Sequence, residues 1–174
     1  MKLLKAADPE KGKYFNIAKS VRFILPIIIL CLDQSTKLIV NKNFTPHESM
    51  PIIKGIFHLT LVHNRGAAFG MLKGQTFLFV FTSIVAIILI YHGLKNTRGN
   101  LYSISLGLIL AGAIGNLIDR VFFGYVIDFL DLRIWPVFNV ADSAITVGTI
   151  LLGWSILQRT DDREQNRYTR DERR

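Results

Sequence analysis

Four long apolar runs dominate this sequence and constrain its fold more than any other feature. They cover residues 23–40, 77–91, 101–119 and 137–157. With flanking residues, each comes close to the roughly 20 residues that an α-helix needs to cross a bilayer. The first run could also be the core of a cleaved signal peptide, but Asp33 and Lys37 stand where small residues would precede cleavage. The sequence therefore predicts an all-α membrane protein with four transmembrane helices.

The charge distribution fits the same interpretation. The 174-residue chain is 50% hydrophobic, yet it carries a net charge of +8. Twelve of its 21 Lys and Arg residues lie before the first run or after the last one, and no aromatic stacking platform accompanies them. Basic flanks beside membrane lipids explain this pattern better than nucleic-acid binding does. We expect one membrane domain with spans at about 22–40, 75–92, 100–119 and 137–158, an arm at 1–21 and a tail at 159–174.

The basic residues also predict the orientation of the helices. Fourteen of the 21 lie in the arm, in residues 92–100 or in the tail, and the other seven lie in the two longer connections or near the ends of the runs that border them. Because loops rich in Lys and Arg stay in the cytoplasm, both termini should be cytoplasmic. An even number of spans agrees with this orientation.

The two longer connections should then lie on the outer side of the membrane. In the first, Phe57, Leu59 and Leu61 recur at every second position, a pattern typical of a strand. The glycines of residues 64–70 allow a tight turn, after which an aromatic residue returns to the membrane surface. We expect a small extracytoplasmic β element and a loop on the outer leaflet, with Trp135 of the second connection at interfacial depth.

Polar residues gather where the apolar runs end, although an Asp at the centre of a membrane helix costs about 2.5–3.5 kcal/mol. With a rise of about 1.5 Å per residue, they fall in one layer in the outer third of the membrane. Such a layer should be buried in protein or face a wet cavity, and it marks a functional site. Its members are Asp33, Asn116, Asp119, Arg120, Asn139 and Asp142.

Small residues on the third run predict close helix packing. Ser103, Gly107, Ala111 and Gly115 follow one another at intervals of four, and Asp119 continues the series. Small side chains let helix backbones approach closely in lipid. The same spacing should direct Asp119 toward a neighbouring helix.

Among possible chemistries, paired carboxylates fit this layer best. There is no Gly-x-Ser-x-Gly elbow, the four histidines lack the His-Glu-x-x-His spacing, and Cys31 is the single cysteine. We therefore predict neither a metal nor a cofactor. Two aspartates that share one proton can hydrolyse an amide bond, one as base and the other as acid.

The neighbours of each aspartate narrow the choice of pair. Asp33 can pair with Lys37 four residues later, Asp119 is adjacent to Arg120, and Asp131 lies beside Arg133 in what should be a solvated loop. Asp128 and Asp142 have no such local cation. On the residues alone, these two are the most plausible pair.

Two other functions remain open on the residues alone. A small proton-coupled transporter also uses intramembrane acids, but it needs them at several depths, and the inner halves of these runs have none. A non-catalytic assembly subunit would use the small-residue positions, but it gives no reason for Asp128 to lack a cation.

Five sequence blocks, in order and within residues 23–157, resemble those of lipoprotein signal peptidase, the bacterial type II signal peptidase. Together they are far more specific than any single motif. The blocks are DQSTK at 33–37, NRGAAFG at 64–70, GNLIDR at 115–120, VIDF at 126–129 and FNVAD at 138–142.

The resemblance implies an aspartic endopeptidase of the bacterial inner membrane. Such an enzyme removes signal peptides from diacylglyceryl-modified prolipoproteins, needs no metal or cofactor, and is blocked by globomycin-type cyclic peptides; a monomer would suffice. The resemblance assigns the catalytic dyad to Asp128 and Asp142. It assigns substrate-binding or site-shaping roles to Asp33, Lys37, Asn64, Gly66, Ala68, Phe69, Asn116, Asp119, Arg120 and Asn139.

Overall fold

Four helices and a small sheet make up the computed structural model, which describes residues 9–66, 74–96 and 99–171. In chain order the elements are α1 (Pro9–Asn43), β1 (Ser49–Ile53), β2 (Phe57–Asn64), α2 (Thr76–Asn96), α3 (Asn100–Phe123), β3 (Val126–Asp131) and α4 (Val140–Asp171). Within the described ranges, four helices each hold a stretch of 20 to 24 residues that is long and apolar enough to cross a membrane. The predicted fold class is confirmed.

Helix α3 is the centre of the bundle and contacts each of the other three helices. The small residues that predict close packing are all buried, and so is Asp119. A Cβ atom added to Gly112 would meet the backbone carbonyl of Ala141 on α4, and one added to Gly115 would meet the carboxylate of Asp33 on α1. Glycine at these two positions therefore lets α1 and α4 approach the α3 backbone.

Helix α3 ends one turn beyond Asp119, just before strand β3. Gly124 adopts the left-handed conformation, with φ of 78°, and its N–H donates to the carbonyl of Arg120. This is a glycine C-cap, which turns the chain without the strain that a Cβ would add. The turn leads directly into β3.

The sheet is antiparallel in the order β1-β2-β3. The predicted strand over residues 57–62 is β2, whereas β3 falls in the second outer connection. The core of the sheet, formed by Val40, Leu61, Ile127 and Phe129, lies against the end of α1. Since β3 also contacts α3, this packing brings a strand to the helix ends where the polar layer lies.

Candidate active site

A cavity of about 270 Å³ opens where β3 meets the ends of α3 and α4. Asp128 on β3 and Asp142 in the first turn of α4 both line it. Asp128 is buried, and Asp142 is partly exposed. The other lining residues are Asn64, Gly66, Asn116, Arg120, Val126, Trp135, Pro136, Val137, Phe138, Ile145 and Thr146.

Three asparagine side chains donate hydrogen bonds to these two carboxylates. The Nδ2 atoms of Asn64 and Asn139 donate to Oδ2 and Oδ1 of Asp128, at 2.8 and 2.7 Å. The Nδ2 atom of Asn116 donates to Oδ1 of Asp142 at 2.7 Å. Each aspartate is therefore oriented by amide groups that carry no net charge.

The direction of each amide is set by a donor at its oxygen end. A group that can only donate would repel a reversed amide, whose NH₂ would then face it. The three Oδ1 atoms accept from the Gly66 N–H (Asn64, 2.9 Å), the Asp142 N–H (Asn139, 2.8 Å) and the Lys37 ammonium (Asn116, 3.0 Å). All three NH₂ groups consequently face an aspartate.

Behind the cavity lies a buried ion cluster centred on Lys37. Its Nζ atom is 2.8 Å from Oδ2 of Asp33 and 2.9 Å from Oδ2 of Asp119, and all three side chains are about 1% exposed. Gln34 donates to both carboxylates, and Oδ1 of Asp33 accepts the N–H of Ala141 at 2.8 Å. The cluster therefore ties α1 and α3 to the start of α4.

The charge pairing of Asp119 differs from what chain adjacency suggests. Its ion-pair partner is Lys37 on α1, and it also accepts the backbone N–H of Ile127. Arg120 instead turns to the cavity, where its guanidinium lies 5.0 Å from the ring centroid of Phe79 and 3.4 Å from the carbonyl oxygen of Asn116. The cavity wall thus carries a fixed positive charge.

The environment of Asp128 favours its protonated form. Burial and the neighbouring charge of Asp142 raise the pKa of Asp128 to about 7, and hydrogen bonds from Asn64 and Asn139 oppose part of that rise. An aspartate normally titrates near pH 4. At neutral pH, Asp128 can therefore hold or release a proton.

Asp131, three residues further along β3, has the opposite character. Burial acts to raise its pKa, but hydrogen bonds from Thr60 and from the backbone and guanidinium of Arg133 outweigh burial and hold the pKa below its ordinary value. The expectation of a solvated loop position is wrong: Asp131 ends a strand and is only 5% exposed. The hydroxyl and the guanidinium that satisfy it also explain how it can be buried as an anion.

Comparison with models of protein families shows which family the chain belongs to. The model of the family described as "Signal peptidase (SPase) II" matches residues 25–158. The chain belongs to the signal peptidase II family. As a member it is a multi-pass membrane protease, and the cleavage of lipoprotein signal peptides is the activity of that family.

Individual relatives agree with this membership. The lipoprotein signal peptidase of Moorella thermoacetica is 54% identical over 137 residues, which are 77% of this chain and 91% of that protein. That of Halothermothrix orenii is 53% identical over 133 residues, 75% of this chain and 90% of that protein. A bacterial membrane enzyme structure, obtained by the in meso method at 2.3 Å, superposes with a TM-score of 0.78 at 31% identity and covers 82% of this chain and 91% of that one.

Most of the residues that the signal peptidase resemblance names lie at or near the cavity, where some line its wall and others are buried behind that wall. Asn64, Gly66, Asn116, Arg120, Asp128 and Asp142 line it. Asp33, Lys37, Asp119 and Asn139 are buried behind it. The named residues Ala68 and Phe69 lie outside the described residues.

Sequence reasoning missed part of the cavity wall of this signal peptidase. Ile145 and Thr146 follow Asp142 by three and four residues, and helical spacing alone would have placed them on its face. The segment 135–138 bears no comparable signal, because its position depends on how the loop folds over β3. Gln34, which joins the ion cluster, is a polar residue inside an apolar run.

Within the described ranges, no three His, Cys, Asp or Glu side chains are grouped so that they could hold a metal ion. The carboxylates nearest the cavity are bound by amide, backbone and ammonium donors. The absence of a metal or cofactor from the reaction stays a prediction.

Proposed function

We propose that this signal peptidase hydrolyses the peptide bond between a signal peptide and a lipidated lipoprotein precursor, with Asp128 and Asp142 as the catalytic pair. One observation carries the proposal: the two carboxylates line one cavity, and three amides direct their N–H groups at them. Among the described residues, no Lys or Arg forms an ion pair with either. Both aspartates can therefore take part in proton transfer.

The reaction needs one proton on the pair at the start. The ionised aspartate takes a proton from water, whose oxygen forms a bond to the scissile carbonyl carbon. The protonated aspartate hydrogen-bonds the carbonyl oxygen and, as the C–N bond breaks, a proton passes to the leaving amine. The products are the carboxyl end of the signal peptide and the free amine of the lipid-modified cysteine, and the pair again holds one proton.

Arg120 supplies a positive charge on the wall of the same cavity. Negative charge develops on the carbonyl oxygen during attack, and a charge fixed in advance stabilises it without reorganisation. The Phe79 ring and the Asn116 carbonyl limit the movement of the guanidinium. We therefore assign Arg120 to stabilising the tetrahedral intermediate.

We place the chain in the bacterial inner membrane, with both termini in the cytoplasm and the site toward the outer leaflet. The excess of basic residues in the arm, in residues 92–100 and in the tail of the sequence supports this orientation. Met50, Ile52, Ile53 and Ile56 leave an exposed apolar rim on the sheet, which suits contact with lipid. Each CH₂ of the substrate's acyl chains that enters the bilayer adds roughly 0.8 kcal/mol of anchoring, so the lipid itself can set the depth of the cleaved bond.

One chain supplies all the residues of this pair and its amide donors, which supports a monomeric enzyme. The cavity is lined by apolar residues and by amide, carboxylate and guanidinium groups, which are able to bind peptide carbonyls and N–H groups. The family resemblance implies that cyclic peptides of the globomycin type compete with the substrate, and this lining fits a peptide ligand.

Purified protein incubated with a diacylglyceryl-modified precursor peptide tests the proposal. The unmodified enzyme should release the signal segment, and the same peptide without lipid should be cleaved poorly. Asp128→Asn and Asp142→Asn should each abolish release while the protein stays membrane-inserted and folded. Normal processing by either variant would overturn the assignment, and proton uptake into sealed vesicles without cleavage would support a transporter instead.

A further inference from the structure

We propose that Lys37 is a positioning residue for this hydrolysis, because its buried ammonium fixes the Asn116 amide with its NH₂ group on Asp142. The proposal rests on the proposed function, since it requires Asp142 to be one of the two catalytic aspartates. Lys37 is absent from the cavity lining, so it acts through Asn116 and not on the substrate.

The ammonium group of Lys37 is fully used by three acceptors. Nζ contacts Oδ2 of Asp33 at 2.8 Å, Oδ2 of Asp119 at 2.9 Å and Oδ1 of Asn116 at 3.0 Å. A charged lysine has three N–H donors, whereas a neutral amine has two and could not serve all three acceptors. Two of the contacts explain how the charge can be buried, and the third reaches toward the cavity.

The contact between Lys37 and Asn116 determines which end of the Asn116 amide faces Asp142. With Oδ1 on Lys37, Nδ2 of Asn116 donates to Oδ1 of Asp142 at 2.7 Å. If the amide were reversed, its NH₂ would face an ammonium that accepts nothing, and its oxygen would face a carboxylate. Lys37 therefore makes one orientation of the amide strongly favoured.

The other partner of the Asn116 oxygen is weaker. Nδ2 of Asn139 donates to it at 3.1 Å, but the same nitrogen also bonds Asp128 at 2.7 Å and the carbonyl of Ile127 at 3.3 Å. A donor that is shared in this way holds its acceptor less firmly than a dedicated charge does. Lys37 is thus the principal constraint on this amide.

Without the Lys37 ammonium, Asp33 and Asp119 would compete with Asp142 for the NH₂ group of Asn116. Asp33 and Asp119 would then be buried carboxylates without their cation, and Asn116 is the neighbouring polar group that shares that cation with them. Its NH₂ would turn toward them, and Asp142 would lose its side-chain donor. The carboxylate of Asp142 would remain in the cavity, but only the longer hydrogen bond from the backbone N–H of Asn139, at 3.3 Å, would still orient it.

The first experiment compares Lys37→Met with Lys42→Met in the lipidated-precursor assay. Met retains the length of the aliphatic stem without the charge, and Lys42 is an exposed lysine on the same helix. We expect kcat of Lys37→Met to fall on the order of 10²-fold, as small misplacements of reacting groups do, with KM within about twofold. Lys42→Met should match the unmodified enzyme. Unchanged kcat in Lys37→Met, or a loss carried by KM, would overturn the proposal.

A double-mutant cycle separates positioning from a merely structural role. If Lys37 acts through Asn116, Lys37→Met should add less than about twofold to the kcat loss of Asn116→Leu, because the amide is already gone. Independent, multiplicative losses would contradict the proposal even if both variants fold.

Should Lys37→Met fail to fold, Lys37→Gln takes its place. The glutamine amide can donate to Asp33 or Asp119. Because its side chain is one bond shorter than that of lysine, its nitrogen does not reach Asn116. The same loss of kcat is expected, and an unchanged kcat would overturn the proposal. Failure of the proposed function looks different: the unmodified enzyme would leave the precursor uncleaved, or Asp128→Asn would cleave it.

Discussion

Asn139 and Asp142 exchange two hydrogen bonds across the first turn of α4. The N–H of Asp142 donates to Oδ1 of Asn139 at 2.8 Å, and the N–H of Asn139 donates to Oδ2 of Asp142 at 3.3 Å. This is the reciprocal pattern of a capping box, in which an N-cap side chain and the third helical residue satisfy each other's backbone N–H groups. Asn139 also donates its Nδ2 to Asp128, so the cap of the helix and the proposed dyad share one side chain.

Replacing Asn139 separates its capping role from its contact with Asp128. Serine can still cap the helix but has no N–H to offer Asp128, whereas alanine loses both contacts. We expect Asn139→Ser and Asn139→Ala each to slow precursor cleavage at least about tenfold, because an amide hydrogen bond that orients the Asp128 carboxyl is lost. Asn139→Ala should also unfold more easily, by about 1 kcal/mol.

Cleavage rates and thermal unfolding of the two Asn139 variants in the same detergent measure these effects. Cleavage at the unmodified rate by Asn139→Ser would show that its amide does not matter to the reaction.

Asp131 offers a matched contrast with Asp128, because the two lie on the same strand in opposite environments. The substitution Asp131→Asn removes the ion pair with the half-exposed Arg133 and changes the contact with Thr60. Since partly exposed ion pairs contribute about 0.2–1 kcal/mol, Asp131→Asn should lower stability only slightly and leave cleavage within a few-fold of normal. Asp128→Asn should abolish cleavage in the same assay, and equal losses in the two variants would contradict the distinction.

The helices and one ion pair could be predicted from the sequence because both depend on local spacing. The apolar runs have the length of membrane spans, and Asp33 and Lys37 are one helical turn apart, which is where they pair. The partner of Asp119 could not be predicted in this way. Its neighbour Arg120 is adjacent in the chain, and only the packing of α1 against α3 brings Lys37 to it.

Strand β3 escaped the periodicity argument for a physical reason. Alternation of polar and apolar residues marks a strand with one solvated face, as in β2. In β3, five of six residues are buried, so its sequence VIDFLD shows no alternation of polar and apolar residues, and both of its aspartates are among the buried ones. The choice of Asp128 and Asp142 as catalytic candidates therefore depended on their lack of local cations and on the resemblance to signal peptidase II. The amides that surround them became apparent only in three dimensions.

A larger residue at Gly115 should destabilise the protein, because α1 and α4 both approach this position. A Cβ there would meet the Asp33 carboxylate and lie 3.3 Å from the Cβ of Ala141. Gly115→Ala should destabilise the protein by about 1–3 kcal/mol, as overpacking does, and reduce cleavage by displacing the ion cluster. Gly153→Ala is the control, since a Cβ at Gly153 meets nothing within 4 Å and alanine favours helix by up to about 1 kcal/mol. Equal thermal stability of the two variants would contradict this account.

The pH dependence of cleavage follows from the pKa of Asp128. Because burial and the charge of Asp142 raise that pKa to about 7, the proton that the pair needs is retained up to neutral pH and lost above it. We expect kcat/KM to fall about tenfold per pH unit at alkaline pH, with an apparent pKa that belongs to the pair as a whole. Activity that stays constant from about pH 6 to pH 9, with the fold intact, would contradict the shared-proton mechanism.

Removing Asn64 tests the sign of this argument. Its Nδ2 donates to Oδ2 of Asp128 at 2.8 Å, and this hydrogen bond lowers the pKa of Asp128 by favouring the ionised form. In Asn64→Ala the pKa should therefore rise further, and the alkaline fall in kcat/KM should move to higher pH even though the maximal rate is lower. Measuring kcat/KM across the alkaline range for both enzymes decides the point: a fall that begins at lower pH in the variant would mean that Asn64 stabilises the protonated carboxyl instead.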